Sequence, residues 1–332
     1  RAGPPARAVE ERRADGRNRS DDSLAAESAL GEGAPVPRRP RLRRRPPALD
    51  IAMLVAPKKP AVVAVSSLVA RGGVGLRAAA FALERLGFPV WQGPTIFLPW
   101  HTGHGPSTRI VPPADGFAGV IGELAASPHL AEIGAVLTGY LGSPAQAEAL
   151  AGLVGALKAV RPDALFVCDP VIGDAEGLYV PEATAEAIRD VLLPLADVAT
   201  PNRYELAWLA GMSTETPTEA VAAARTLGRP RVVVTSAPAL MRNSTGVMLV
   251  TPTEAMVAEH PRLEGAPSGV GDLAGAIAAA GLLEGRPEEK TLAWIAAALF
   301  EMVARTLKGG HDELAVVAEQ DVIVRPMAHV AL

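Results

Sequence analysis

Residues 61–91 read AVVAVSSLVARGGVGLRAAAFALERLGFPVW, and their order of apolar runs and glycines decides the fold class. The β-branched run Ala61–Val65 predicts a buried strand, closed by Ser66-Ser67 and the loop Gly72-Gly73-Val74-Gly75. Arg77–Leu86 has helical spacing and stops at Gly87, and Phe88-Pro-Val-Trp91 starts a second strand. Strand, glycine loop, helix and strand in succession form the unit of a parallel sheet.

The unit repeats downstream. Strands are predicted at Gly134–Thr138, Ala164–Cys168, Ala196–Ala199, Arg231–Thr235 and Thr245–Val250. Helices are predicted at Pro144–Val160, Pro181–Leu193, from Asn202, near Thr218–Leu227, from Asp272 and from about Pro287. Near-continuous apolar strands alternating with helices imply an α/β fold, a mostly parallel sheet covered on both faces. Ligands of such sheets bind beyond the carboxyl ends of the strands.

Hydrophobic residues make up 49% of the 332, enough for a sizeable core, while aromatics are only 4%. A single cysteine, Cys168, excludes an internal disulfide framework and any cysteine-built zinc site; it reads as a small core residue. The apolar runs Leu273–Leu283 and Leu292–Phe300 fall short of the roughly 20 residues that cross a bilayer. The expectation is a soluble, cytoplasmic protein with no membrane partner.

Charge divides the chain. Residues 1–59 carry 12 Arg and 2 Lys against 8 acids, a net +6, whereas residues 60–332 carry 18 basic and 28 acidic residues, a net −10. The acidic body offers nothing to a polyanion, so no nucleic-acid partner is expected. Residues 1–59 are rich in arginine and proline and have no apolar period, which predicts a disordered extension before a domain at 60–332. Eight acids argue against a transit peptide, and Met53 just ahead of the first strand suggests that the stretch is dispensable or precedes the true start.

Chemistry is sought at the strand ends. Gly73-x-Gly75-x-x-Ala78 fits a loose dinucleotide fingerprint, yet Val90-Trp91-Gln92 stands where the ribose-binding acid belongs, and no P-loop occurs anywhere. Gly269-Val270-Gly271-Asp272 opens a helix with glycines that clear the approach to its N–H groups. Asp272 is either an ordinary helix cap or a carboxylate beside an anion hole, the pairing that suits phosphoryl transfer to an alcohol. Asp169 follows a buried strand and Glu205 opens a helix after another. Each has a bland reading, as turn aspartate and capping-box glutamate, and together they can hold Mg²⁺ through water. His101 and His104 lie three apart in a Gly/Pro-rich loop without an apparent third metal ligand, which reads as a substrate-covering loop.

In this order the segments resemble the pyridoxal kinases of the ribokinase-like (PfkB carbohydrate kinase) superfamily. The likeness spans nearly all of 61–326. It rests on Ser67-x-Val69-x-Arg71-Gly72-x-Val74-Gly75, His101-Thr102-Gly103, Thr138-Gly139-Tyr140-Leu141-Gly142, Cys168-Asp169-Pro170-Val171, Tyr179-Val180-Pro181, Thr200-Pro201-Asn202-x-x-Glu205, Thr235-Ser236 and Gly269-Val270-Gly271-Asp272. The resemblance implies a three-layer sandwich that phosphorylates the 5′-hydroxymethyl group of pyridoxal with ATP, giving pyridoxal 5′-phosphate. It implies Asp272 as general base and Gly269, Val270 and Gly271 as the anion hole. Ser67, Val69, Thr102 and Tyr140 would contact the pyridine ring. Asp169, Tyr179, Thr200, Glu205, Thr235 and Ser236 would line the ATP–Mg²⁺ side. It further implies a homodimer and, in many members, a monovalent cation such as K⁺. Leu68 and Leu76 stand where the family usually has His and Asn, which predicts weakened handling of substrate with the chemistry intact. A sibling hydroxymethylpyrimidine kinase and a weakly catalytic vitamer-binding protein are the alternatives.

Overall fold

The computed structural model describes residues 59–332. The expectations for the basic N-terminal stretch, apart from Lys59, lie outside the described residues. In chain order the elements are β1 (Ala61–Val69), α1 (Leu76–Arg85), β2 (Val90–Leu98), α2 (Ala114–Ala125), β3 (Ile133–Thr138), α3 (Pro144–Val160) and β4 (Leu165–Cys168). A small hairpin of β5 (Gly173–Asp174) and β6 (Gly177–Leu178) follows, then α4 (Glu182–Ala187), β7 (Val198–Ala199), α5 (Arg203–Ala210), α6 (Pro217–Thr226) and β8 (Arg231–Ala237). The chain ends with β9 (Ser244–Val250), β10 (Ala255–Pro261), α7 (Val270–Leu283), α8 (Glu288–Lys308) and α9 (Asp321–Val324).

Among the described residues, eight strands form one sheet in the order β10-β9-β8-β7-β4-β3-β1-β2. The six strands from β2 to β8 run parallel, and β9 and β10 add an antiparallel hairpin at one edge. Alternate residues of β1 serve opposite layers. Val62 joins a core with α1, α7 and α8, while Ala61, Val63 and Val65 join another with α2, α3 and α4. A third cluster packs α5 and α6 against β8 and β9. The result is the expected three-layer, mostly parallel architecture.

Four departures from the sequence reading have local causes. Strand β2 runs on through Gly93-Pro94 to Leu98. A proline without an N–H is tolerated because β2 is an edge strand, and the register against β1 slips at that point. Helix α2 was not expected: Gly116, Gly119 and Gly122 weaken its helical signal, and Phe117 and Ile121 alone are buried along it. Strand β10 was also missed, because its apolar pattern is broken by Glu259 and His260. The helix expected over 181–193 is regular only in α4, continuing as a π turn over Ile188–Leu192 and a 3-10 turn over Leu193–Leu195.

The parallel strands place the ends of β1, β3, β4, β7 and β8 along a single edge of the sheet, where the chain turns toward Ser67, Tyr140, Asp169, Thr200 and Thr235. Helix α7 brings Gly271 and Asp272 to the same edge.

Candidate active site

The start of α7 is locked against the loop that follows β1. Gly269 caps the helix with φ near 100°, and a Cβ there would sit 2.0 Å from the Gly73 carbonyl oxygen. Only glycine meets both demands. Opposite, Gly75 has φ 57°, and a Cβ would meet the Ser67 carbonyl at 2.2 Å. This tight seat lets the Gly75 N–H donate to Asp272 Oδ2 at 2.8 Å. The first N–H groups of α7, including those of Val270 and Gly271, have no carbonyl of their own helix to bond, so they are free to meet an anion. Loss of solvent raises the Asp272 carboxyl to about 6, with the Gly75 hydrogen bond pulling the other way. A carboxyl tuned near neutrality can take a proton at physiological pH.

Asp169 is buried, and a Cβ on Gly271 would lie 4.0 Å from its Oδ2, so the carboxylate faces the first turn of α7. Its pKa is raised well above the ordinary value, first by desolvation and then by the charges of Glu205 and Asp272, with the Thr200 hydroxyl lowering it. A small cavity lies between the two aspartates, lined among others by Ser66, Leu76, Thr138 and Gly139.

Glu205 is spoken for. Its carboxylate accepts from the N–H groups of Ile172 at 2.9 Å, Gly173 at 3.4 Å and Asn202 at 2.8 Å, while Asn202 Oδ1 accepts from the Glu205 N–H at 2.9 Å. This is a complete capping box at the start of α5, the blander of its two sequence readings. Burial still pushes Glu205 up to about 7, against those hydrogen bonds. Its charge reaches Asp169, but its lone pairs are largely committed to the backbone.

The residues expected on the substrate side divide. Ser67 lies at the end of β1, against Gly75. Tyr140 is half-buried, its N–H donating to Ser66 Oγ at 3.1 Å and its ring facing Arg109 at 5.7 Å. Val69 is 1% exposed and packs with Val74, Ile96 and Leu98, so its side chain belongs to the core and not to an open surface. Thr102 is exposed at the start of a 3-10 turn, Thr102–His104. Leu68 is half-buried opposite Phe97, and Leu76 is buried as the first residue of α1.

On the opposite side, Asn202 bridges to Thr235, whose N–H donates to the Pro201 carbonyl at 2.9 Å. Ser236 follows with φ 51°, at an irregularity in the pairing of β8. Thr200 is buried beside Asp169, and the exposed Tyr179 hydroxyl donates to Asp174, which together with burial holds the phenol above its ordinary pKa. Gly75 and Gly139 stand in the quoted motifs and Ser66 closes the first apolar run, yet none of the three is assigned a place in the site from spacing, because their contacts with Asp272 and Tyr140 join segments far apart in sequence.

Among the described residues no three His, Cys, Asp or Glu side chains converge tightly enough to hold a metal directly. The donor set suits a hard cation held through water. Asp169 and Asp272 face one cavity with Glu205's charge behind them, and among the described residues no basic side chain hydrogen-bonds to any of the three.

A mostly parallel sheet, a glycine-opened helix aimed at its carboxyl edge and a near-neutral carboxylate in the first turn together define a small-molecule kinase of the ribokinase-like class. The family model described as phosphomethylpyrimidine kinase matches residues 122–316. The chain is 42% identical over 267 residues to the pyridoxine/pyridoxal/pyridoxamine kinase of Bordetella bronchiseptica, covering 78% of this chain and 94% of that protein. It is 36% identical to the pyridoxal kinase PdxY of Rubrobacter xylanophilus, covering 80% and 94%. The solved pyridoxal kinase of Leishmania donovani in complex with ADP and pyridoxine superposes with a TM-score of 0.75 at 29% identity, covering 81% of this chain and 96% of that one. The chain belongs to the pyridoxal kinase family.

Proposed function

We propose that this protein phosphorylates the 5′-hydroxymethyl group of pyridoxal and related vitamin B6 vitamers with ATP, yielding pyridoxal 5′-phosphate for salvage. The observation that carries the reading is Asp272, raised to about 6, seated beside the open N-terminus of α7. The vitamer hydroxyl attacks the γ-phosphorus of ATP, its proton passes to an Asp272 carboxylate oxygen, and ADP leaves. The N–H groups following Gly269 meet the charge on the transferring phosphoryl. Ser67, Thr102 and Tyr140 hold the pyridine side, with Val69 in the core. Thr200, Thr235, Ser236 and Tyr179 border the nucleotide. A Mg²⁺ ion, when bound, offsets the phosphate charge that an acidic pocket would otherwise repel; Asp169 would hold it through water, with Glu205 adding charge from behind. Requirements for K⁺, a homodimeric assembly and a cytoplasmic location accompany this reading.

The test is coupled ATP consumption with pyridoxal, Mg²⁺ and K⁺, run beside Asp272→Asn. Turnover in the parent that collapses in the variant supports the reaction and the base. Pyridoxal binding without turnover would make the chain a vitamer-binding protein instead. The alternative reading is a hydroxymethylpyrimidine kinase, the matching family model being described by the related phosphomethylpyrimidine, and a kcat/KM for hydroxymethylpyrimidine above the value for pyridoxal would reverse the ranking.

A further inference from the structure

The segment 99–110 leaves the sheet at the end of β2 and returns to it, Phe97 and Ile110 exchanging backbone hydrogen bonds of 2.8 and 3.0 Å. That exchange closes the neck of a loop. The Thr102–His104 turn sits within it, tightened by the Gly103 N–H donating to His101 Nδ1 at 3.2 Å. The function proposed above uses Thr102 and leaves His104 without a part.

His104 reaches across to the segment that follows α8. Its Nε2 lies 2.7 Å from Glu313 Oε1, and the Glu313 side chain is only 14% exposed. The other carboxylate oxygen accepts from the Gly73 N–H at 3.4 Å, and Arg71 Nη1 lies 3.6 Å from Oε1. Gly73 is the residue whose carbonyl packs against Gly269 at the start of α7. A single sheltered carboxylate thus joins three segments far apart in sequence: the Thr102 turn, the loop after β1 and, through that loop, the anion hole. The neighbouring Arg71–Asp312 pair, 55% and 62% exposed, is solvated and holds far less.

We propose that Glu313 and His104 form a latch that positions the Thr102 turn against the Gly72–Gly75 loop, setting the affinity for the vitamer and not the rate of phosphoryl transfer. Both are positioning residues, since neither reaches the reacting atoms. The inference rests on the substrate-side reading of Thr102.

The test uses steady-state kinetics and limited trypsin digestion of the full chain carrying His104→Ala, Glu313→Ala, both changes together, His104→Lys or Thr102→Ala. Each latch variant raises the pyridoxal KM about tenfold while kcat and the ATP KM stay within about twofold, the size of effect a displaced positioning group produces. The double variant is no worse than either single, because the same contact is already broken. His104→Lys, which keeps a donor at the turn, recovers part of the KM. Loosening also exposes the loop, so trypsin cleaves after Arg109 several times faster in the Ala variants. Cleavage at the parental rate overturns the latch. So does a fall in kcat together with a rise in both KM values, which marks general damage. His104→Ala, at a half-exposed position, keeps the question open to measurement if Glu313→Ala folds poorly. Thr102→Ala separates the two layers: an unchanged pyridoxal KM there, with faster tryptic cleavage in the latch variants, removes the substrate-side reading of the turn and with it the affinity role of the latch.

Discussion

Helices α5 and α7 both begin at the carboxyl edge of the parallel strands, and each carries an acid in its first turn, Glu205 in one and Asp272 in the other. Both acids are raised toward neutrality by loss of solvent. Glu205 accepts three backbone N–H groups and closes a capping box, so its oxygens are used in holding α5 and the β5–β6 hairpin. Among the described residues, Asp272 accepts a single N–H, from Gly75. The helix cap at α7 is a glycine that makes no side-chain bond, where α5 has Asn202. One helix start is satisfied from within and the other is left open to a ligand. Two acids of similar pKa therefore carry different expectations, and the difference lies in their hydrogen-bond partners.

The sharpest way to break this contrast is Asp272→Asn. With the proposed proton acceptor gone, kcat should fall by about 10²–10⁴, the range for loss of a general base. Thermal stability should hold or rise at neutral pH, because a buried charge bonded to a single N–H is replaced by a neutral amide. Parental turnover in a folded Asp272→Asn protein would remove Asp272 from the chemistry. Gly269→Ala comes next. A methyl group 2.0 Å from the Gly73 carbonyl, on a backbone with φ near 100°, forces the loop and helix apart. Activity should drop about 10²-fold and stability by about 1–3 kcal/mol, read by turnover and by chemical denaturation. An active, fully stable Gly269→Ala protein would mean that the seat tolerates what its geometry forbids.

Glu205→Ala probes the other half of the comparison. It leaves three N–H groups without their acceptor, so stability should fall by about 2–4 kcal/mol in urea denaturation. Activity at saturating Mg²⁺ should fall by no more than about tenfold, far less than for Asp272→Asn, since the loss acts on framework and local charge. If Glu205→Ala kept its stability and lost turnover as Asp272→Asn does, the assignments of the two acids would change places.

The sequence showed much of this contrast without resolving it. Gly269-Val-Gly-Asp272 and Asn202-x-x-Glu205 both stood out, because helix starts follow local rules that spacing reveals. The strands of the sheet's middle were equally plain, being buried on both faces and so continuous in apolar residues. What spacing could not reveal was the partner of each acid. Gly75 lies 197 residues from Asp272 and Ile172 lies 33 from Glu205, so whether a carboxylate is spent or free is decided by tertiary contacts. The same holds for His104, whose partner Glu313 follows the last long helix. Elements at the periphery were harder for another reason. Helix α2 has three glycines and β10 carries Glu259 inward to cap the loop at Leu240 and Met241, so neither shows the pattern that burial on a full face would impose.

The gentlest discriminator needs no change at Asp272. Protonated Asp272 cannot accept the hydroxyl proton, so kcat/KM should fall as pH drops through about 6, the value to which burial raises it. Asp169 and Glu205 belong to the same buried acidic cluster, their carboxyls also raised by desolvation, so the apparent midpoint belongs to the cluster. Glu205→Gln separates Glu205 from the two aspartates: the acidic limb should survive in it, because the proposed proton acceptor is untouched. The stability profile runs the other way. A carboxyl whose folded pKa lies above its unfolded value of 3.8 costs nothing below the unfolded value, costs progressively more stability as pH rises between the two, and its full cost above the folded one. The melting temperature of Asp272→Asn should therefore exceed the parent's above pH 6 and converge on it near pH 4. A parent whose kcat/KM stays flat down to pH 5, or an Asn variant whose advantage persists at pH 4, would mean that burial does not raise the Asp272 carboxyl at the start of α7.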